Sequence, residues 1–511
     1  RNPMMVSNSC GARIITADVD RVLGYTCRML RIGTILLGMG VCLMAGCSDS
    51  WNNPYPGSDP DANILYSAFA ERPKHLDPAR SYSSNEVEFT GQIYEPPLQY
   101  HFLKRPYELI PLTAEAVPRP RYFDAAGKPL PDDAPAAAIA ESLYEIRIRP
   151  GIRYQPHPAF AQDESGRYRY HALDAAATAD KTRVSDFEHT GTRELVAADY
   201  VYQIKRLANP KLSSPIFGLM SEHIVGLKAL GEALEKAARE QPDAALKLDD
   251  FPLAGAEVVD RHTYRIRIKG KYPQFKYWLA MTFFSPIPWE AEKFYAQPGM
   301  AEKNLTLNYW PVGTGPYMLT EFLENRRHVL ERNPNFAGET YPCEGEAADR
   351  AAKLLDDCGK PLPLIDRVVF NIEKEKIPHK AKFLQGYYDN PEIQRFDWLQ
   401  DFEYDVRNSD EVERLFRDRG IQMPRTLEIS NWYVGFNWLD PVVGQGRTPE
   451  EQVRNRKLRQ ALSIAVDWEE FVRVFESKAA GEPAMSPVPP GVFGFRPGMV
   501  NPVVYDVVDG K

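Results

Sequence analysis

Two neighbouring segments decide the fold: Gly313-Thr314-Gly315-Pro316-Tyr317 and Glu331-Arg-Asn-Pro-Asn335. Glycine has no Cβ, so Gly313 and Gly315 permit a backbone path that other residues resist. Pro316 then fixes the chain direction just before a strand-like run. These residues are therefore predicted to shape the scaffold rather than to contact a ligand.

Strand-like and helix-like periodicities surround this pair on both sides. Alternation with a period of two predicts strands, and apolar residues near i, i+3 and i+7 predict helices. The helix at 455–467 would place Leu458, Leu462 and Ala465 on one apolar face. Strands are predicted at 63–69, 144–149 (with Tyr144, Ile146 and Ile148 on one face), 264–268 and 368–372, and helices at 197–207 and 455–467. This mixture without a regular βαβ period predicts an α/β (mixed α+β) fold.

Length and charge limit the classes of protein. A chain of 511 residues is too long for one hydrophobic core, so two or three domains are expected. A hydrophobic content of 43% and a charged content of 26% are typical of soluble globular proteins. The net charge of −8 argues against nucleic acid as a partner, because phosphate binding needs clustered basic residues.

An export signal precedes the predicted body. Arg28 and Arg31 are followed by an apolar run from Ile32 to Ala45, which is shorter than the roughly 20 residues that span a bilayer. The ending Leu43-Met-Ala-Gly-Cys47 resembles a lipobox, with Met44 where leucine is usual. We therefore predict a signal peptide at 29–46 and a lipid on Cys47. A buried apolar segment that happens to contain cysteine is the alternative.

This signal fixes the expected limits of the mature chain and its location. Residues 1–28 are expected to be an upstream extension, because Met29 suits the start of a signal peptide. Residues 47–60 are polar and proline-rich, which predicts a flexible tether. The expected location is the periplasm or cell envelope, anchored through Cys47. Inner and outer membrane both remain open.

Two cysteines remain in the predicted body. Cys343 and Cys358 form an even pair in an exported protein, which predicts a disulfide in an oxidising compartment. Residues 344–357 supply carboxylates but neither histidine nor a further cysteine, so no metal site is expected here.

The sequence contains no motif that assigns catalysis. It has no HExxH, GxSxG or P-loop motif and no glycine-rich dinucleotide fingerprint, and its nine histidines are scattered. No catalytic residue and no cofactor are predicted, and the chain is expected not to be an enzyme. An envelope hydrolase that acts on peptides or glycans stays an alternative.

Several segments together resemble the family 5 extracellular solute-binding proteins, which include oligopeptide- and dipeptide-binding proteins. They occur in family order, and the Gly313–Tyr317 and Glu331–Asn335 pair is the most specific. The other matching segments are His75-Leu-Asp-Pro-Ala79 with Ile93–Tyr100, Tyr144–Tyr154, Leu195–Tyr202, Ser285-Pro-Ile-Pro288 and Asn455–Asp467.

The resemblance implies a two-lobed fold of the type II periplasmic-binding-protein kind with an inserted domain. Lobe I would comprise 61–92 and 290–438, the inserted domain 93–289, and the start of lobe II 439–511. The family's second lobe continues past its counterpart of the 455–467 helix. We therefore expect lobe II to be incomplete at Lys511 and the 511-residue chain to bind solute poorly.

The resemblance also implies the partners. They would be a peptide or other small solute and the permease subunits of an ABC importer in the inner membrane, with the protein a monomer. Sister members carry nickel, sugars or other solutes, and same-fold receptors serve signalling or chaperoning, so these alternatives stay open.

The cleft residues are likewise implied by the resemblance. Asn85, Glu86 and Val87 occupy the position of the family's first ligand-facing strand edge. Residues 430–437 would form the strand that enters the hinge. On that strand Trp432 or Tyr433 would wall the pocket and Asn437 would be a further contact. For both aromatic residues a place in the core is the alternative.

Overall fold

The computed structural model describes residues 54–57, 61–242, 245–390, 420–421, 429–472, 474 and 482–501. The chain divides into two compact units, Arg1–Pro56 and Gly57–Lys511, and the description below concerns the second. The predicted extension at 1–28, the signal peptide at 29–46 and Cys47 lie outside the described residues.

A four-stranded mixed sheet joins the two ends of the region 61–390. The strand order is β1-β13-β10-β9, in which β1 pairs in parallel with β13 and the other neighbours are antiparallel. The strands are β1 (Ile64–Phe69), β9 (Tyr317–Leu323), β10 (Arg327–Arg332) and β13 (Arg367–Ile372). The parallel pair requires a long crossover, and the intervening chain forms most of the molecule's other elements.

An antiparallel five-stranded sheet is built from the middle of the chain. Its order is β5-β4-β6-β8-β7, and Tyr144 and Ile146 on β6 pair with Ile266 and Tyr264 on β8. All four of these side chains are buried, as the alternation predicted. The strands are β4 (Arg121–Phe123), β5 (Pro129–Leu130), β6 (Glu141–Arg147), β7 (Ala256–Asp260) and β8 (Thr263–Lys269).

The α-helices and two short hairpins account for most of the remaining described elements. The hairpins pair β2 (Leu98–Tyr100) with β3 (Leu109–Pro111), and β11 (Glu339–Thr340) with β12 (Pro361–Leu362). The helices are α1 (Ser84–Ile93), α2 (Ala197–Arg206), α3 (Phe217–His223), α4 (Leu227–Glu240), α5 (Phe275–Trp278), α6 (Trp289–Tyr295), α7 (Ala347–Ala351), α8 (Lys376–Leu384), α9 (Pro449–Ile464) and α10 (Trp468–Phe471). The fold is mixed α/β, as predicted.

One continuous apolar core connects the two larger sheets. Phe69 and Phe370 from the four-stranded sheet belong to the same buried cluster as Tyr144 and Ile266 from the five-stranded sheet. The division of the chain into 61–92 with 290–438, 93–289 and 439–511 remains a prediction.

Helix α9 differs from the sequence prediction in its limits and its environment. It begins earlier, at Pro449, because the Thr448 side chain accepts a hydrogen bond from the Glu451 N–H and proline suits the first turn. Of the predicted apolar face, Leu462 and Ala465 are exposed and Leu458 is half-buried, so the described residues do not cover this face.

The Gly313–Tyr317 segment owes its glycines to a close backbone approach. A Cβ on Gly313 would lie 1.9 Å from the Ile93 carbonyl oxygen, and one on Gly315 would lie 2.7 Å from that of Gln92. The Gly315 N–H donates to the Ile93 carbonyl at 2.9 Å. These glycines therefore allow the segment that leads into β9 to pack directly against the end of α1.

The sulfur atoms of Cys343 and Cys358 are bonded, with their Cα atoms 4.6 Å apart. The bond closes the connection between β11 and β12, which contains the short helix α7. We refer to residues 343–358 as the disulfide loop.

A buried arginine ties three separate segments together. The Arg206 side chain, at the end of α2, is 1% exposed and makes a bidentate pair with Asp77 at 2.6 and 2.9 Å. Its Nε donates to Glu292 of α6 at 2.6 Å. Burial opposes the guanidinium charge, but the carboxylates of Asp77 and Glu292 raise the pKa of Arg206 well above its usual value.

A second arginine repeats this arrangement at the other end of α2. Arg193 donates two hydrogen bonds to Asp199 at 2.7 and 2.8 Å, and two to Glu290 at 2.6 and 2.7 Å. Helices α2 and α6 are therefore joined by two ionic contacts, through Glu290 and Glu292 in the first turn of α6.

We expect the substitution Arg206→Met to destabilise the protein by about 3–5 kcal/mol, because it leaves the buried Asp77 carboxylate and the half-buried Glu292 carboxylate without their cation. Urea unfolding followed by circular dichroism measures the change. The matched control is Arg239→Met, whose side chain is exposed on α4 beside Glu235. The control should cost less than about 1 kcal/mol. Equal losses in the two variants would contradict a structural role for the buried pair.

Candidate functional site

The first predicted group of site residues surrounds the beginning of α1. The buried Glu86 carboxylate accepts four backbone hydrogen bonds, from Lys74, His75, Tyr82 and Ser83, at 2.8 to 3.2 Å. It therefore holds the loop that precedes the helix against the helix itself.

The charge of Glu86 is set by two opposing effects. Burial raises the pKa of the carboxyl, but the hydrogen bonds from the backbone N–H groups of Tyr82, His75 and Ser83 outweigh it, and the pKa ends below its usual value. The carboxylate is therefore ionised at neutral pH and acts as an acceptor within the fold.

The predicted strand edge at Asn85, Glu86 and Val87 is wrong, because these residues lie in helix α1. Ser83 precedes the helix and Glu86 stands at its third position, which is the capping-box pattern for a helix start. The Asn85 amide donates to the carbonyls of Glu71 and Arg72, and Val87 is the most exposed of the three predicted contacts.

Tyr82 is a candidate contact that the sequence reasoning missed. Its side chain is 72% exposed, while its backbone N–H is fixed by the Glu86 carboxylate at 2.8 Å. Its ring centroid lies 6.4 Å from that of Phe283. An aromatic residue between serines immediately before a capping box was the available signal.

The second predicted group lies in residues 430–437. Trp432 and Tyr433 are 91% and 88% exposed, so neither is a core residue. Asn437 is exposed as well, and its side-chain oxygen accepts the Leu439 N–H at 3.1 Å. The predicted strand at 430–437 is wrong: the described segment 429–437 has no strand pairing.

The segment 430–437 is held by side-chain contacts instead of a sheet. The Asn431 amide donates to the Pro487 carbonyl at 2.8 Å. Within the described part of the chain, no hydrogen bond, ion pair or ring contact joins Asn85–Val87 to Trp432–Asn437. Whether the two groups share one cleft remains a prediction.

The described ranges contain neither a metal-binding cluster nor a membrane-spanning helix. In those ranges no group of three or more His, Cys, Asp or Glu side chains is arranged to hold a metal ion. No helix among them has the length and apolar character needed to cross a bilayer.

The fold is that of the type II periplasmic binding proteins. The structure is similar to the ABC transporter-associated periplasmic binding protein DppA from Helicobacter pylori, solved in complex with the peptide STSA. The TM-score is 0.50 and the sequence identity 15%, and the similarity covers 86% of this chain and 63% of that one.

The family model of the bacterial extracellular solute-binding proteins, family 5 Middle, matches residues 189–509, and the chain belongs to this family. The periplasmic oligopeptide-binding protein OppA of Escherichia coli is 26% identical over 283 residues, which are 50% of this chain and 45% of that protein. The heme-binding protein A of Haemophilus influenzae is 23% identical over 311 residues, which are 60% and 44%. The chain thus spans less than half the length of these curated relatives.

We expect Glu86→Gln to destabilise the protein by about 2 kcal/mol at neutral pH, because the neutral amide accepts weaker hydrogen bonds than the carboxylate. The pKa of Glu86 is depressed in the folded state, so its contribution is present above the unfolded pKa and is lost as the pH falls through the folded pKa. Urea unfolding at pH 7 and at about pH 3 measures the difference between variant and parent.

The control for this experiment is Glu88→Gln, which makes the same change on an exposed residue of the same helix. It should alter stability by less than about 0.5 kcal/mol at either pH. A Glu86→Gln penalty that does not shrink on acidification would exclude the charge as its cause.

Proposed function

We propose that this chain is the substrate-binding lipoprotein of an ABC importer. It captures a peptide-like solute between two hinged lobes, without chemical conversion, and delivers it to permease subunits in the inner membrane. Membership of the family 5 solute-binding proteins is the observation that carries the proposal. The relatives named for oligopeptide binding support the class of solute.

The proposed site combines Tyr82, which lies beside the first predicted group, with the exposed aromatic residues of the second group. Tyr82 projects from a loop that Glu86 holds rigid, and Trp432 and Tyr433 project from residues 430–437. Trp432, Tyr433 and Val434 form a contiguous run of exposed apolar side chains, and such contiguous patches mark sites of contact with a ligand or partner. In this proposal the three aromatic side chains form the walls for side chains of an extended peptide, whose backbone pairs with the protein as an added strand.

Lobe closure supplies the selectivity in this proposal. Lobe I comprises 61–92 and 290–438, the inserted domain comprises 93–289, and lobe II begins at 439. A ligand that touches both lobes binds the closed form better than the open form and so shifts the population toward it.

The test is the identity of the solute that the protein carries. The protein is purified from its native host without denaturation, and the bound solute is released and identified by mass spectrometry. We expect short peptides. Recovery of a nickel complex, a sugar or another non-peptide solute would overturn the peptide assignment, and turnover of a peptide library would overturn the non-enzymatic role.

The contribution of the aromatic residues is tested with Trp432→Ala and Tyr433→Ala. Each variant should retain less peptide by at least tenfold, because the truncation removes a large apolar contact. The matched control is Trp289→Ala, a partly exposed tryptophan that packs against Tyr168 and His171. Peptide recovery that is equal in all three variants would exclude the segment 430–437 from the site.

We further propose that Cys47 carries the lipid anchor, which would place the protein in the envelope as a monomer. The residue lies outside the described part of the structure. Cys47→Ser expressed from Met29 should move the protein from the membrane fraction to the soluble fraction and remove the acyl mass from the mature N-terminus. Both are measured by fractionation and intact mass. Membrane association that survives the substitution would contradict the anchor.

A further inference from the structure

A surface cavity lies apart from the residues proposed for solute capture. Its volume is about 900 Å³, within the range of sites for small molecules. One wall is the loop between β2 and β3, a second is the start of the disulfide loop, and residues 117–120 with Lys276 and Tyr277 complete the lining. Lys104 of the first wall reaches Glu344 of the second at 2.8 Å. Just before the disulfide loop, Tyr341 packs edge-on against Phe102 with ring centroids 5.9 Å apart.

Tyrosine rings form an aromatic surface at this cavity. Tyr107 and Tyr277 line it, and Tyr100 connects them, stacking on Tyr277 with an interplanar angle of 11° and meeting Tyr107 edge-on. Tyr100 and Tyr277 are 43% and 39% exposed. Flat, exposed rings of this kind pack against the face of a ring-shaped ligand.

Three basic side chains lie over these rings or line the cavity beside them. The Arg105 guanidinium lies 4.0 Å from the Tyr107 ring centroid, and the Lys276 ammonium lies 5.1 Å from that of Tyr277. Arg119 also lines the cavity and is exposed. In the part of the chain that the structure describes, none of these three cations takes part in an ion pair. Arg105 donates to the carbonyls of Phe102 and Lys104, so Lys276 and Arg119 are the cations available to a carboxylate. Arginine provides a carboxylate with a bidentate partner.

Carboxylates occupy the remaining part of the lining. Lys104 holds Glu108 at 3.3 Å and Glu344 at 2.8 Å, and Glu346 lies beside them. The hydrogen bond from Lys104 keeps the pKa of Glu344 below its usual value, so it stays an acceptor. Ionised carboxylates accept hydrogen bonds but donate none, and they repel a polyanion. The complementary ligand therefore carries several hydroxyl donors and a single negative charge.

We propose that this cavity binds an acidic sugar, a pyranose ring that bears one carboxylate. The ring lies on Tyr277, the carboxylate meets Lys276 and Arg119, and the hydroxyl groups donate to Glu108 and Glu346. An apolar peptide segment would leave these charged groups buried without partners, at a cost that opposes its binding.

The probes are D-glucuronate and D-glucose, which share the ring and differ only in the carboxylate at C6. Saturation-transfer NMR on the full chain measures their binding. Glucuronate should give transfer to its ring protons, and glucose should give at least tenfold weaker binding. Equal binding of both sugars, or of neither, would overturn the proposal. So would benzoate displacing glucuronate with equal affinity, since the cavity would then recognise a carboxylate on any flat ring.

Charge variants separate the carboxylate contact from the ring contact. Lys276→Gln combined with Arg119→Gln should weaken glucuronate at least tenfold and abolish its preference over glucose. Lys236→Gln combined with Arg239→Gln removes the same charge from the exposed face of α4 and should change neither. A preference that survives in the first double variant would contradict the assignment of these cations.

Two further variants test whether Tyr277 and the disulfide loop contribute to binding. The melting temperature of each variant is measured to check that it is folded. Tyr277→Ala should weaken both sugars, because it removes the stacking surface. Cys343→Ser combined with Cys358→Ser should weaken glucuronate at least tenfold, because the disulfide loop positions the Glu344–Glu346 wall. Unchanged binding in these variants, with folding intact, would show that the probe binds elsewhere. Displacement by a di- to pentapeptide mixture would place it in the proposed solute cleft instead.

Discussion

The Arg206 side chain is 1% exposed, and its guanidinium forms ion pairs with Asp77 and Glu292, which come from segments far apart in the chain. Each of the three groups is costly to bury alone, because a desolvated charge without a partner is strongly destabilising. The loop after β1, the end of α2 and helix α6 must therefore meet in one geometry. The Arg193, Asp199 and Glu290 contact imposes the same condition two residues away in the first turn of α6.

The placement of the candidate ligand contacts follows from this constraint. Asp77 fixes the loop that leads into α1, and Glu86 then fixes the remainder of that loop through backbone N–H groups. Tyr82 is exposed on a segment whose backbone has little freedom. A ligand contact on such a segment requires little ordering when a solute binds, which is the condition under which an aromatic contact contributes most to affinity.

The cavity beside the disulfide loop has a different construction. Two loops form part of its lining, an ion pair and a nearby aromatic contact join them, and a disulfide closes one of them. Its lining mixes cations, carboxylates and tyrosines, whereas the residues proposed for peptide capture are aromatic. The two places therefore suit different ligand chemistries, and occupation of one does not require the other.

The sequence by itself determined the features that depend on neighbouring residues. Alternation along 144–148 and 264–268 predicted two buried strands, the motif order predicted the family, and two body cysteines predicted a bond that the structure contains. The capping box at Ser83 and Glu86 is equally readable in the sequence and indicates the helix start that the structure contains. Only the tertiary structure decided that Arg206 meets Asp77, that Gly313 lies against Ile93, and that Trp432 is exposed. The physical reason is that periodicity and capping act within a few residues. By contrast, the packing of distant segments decides which group pairs with a buried charge and whether an aromatic side chain is buried or exposed.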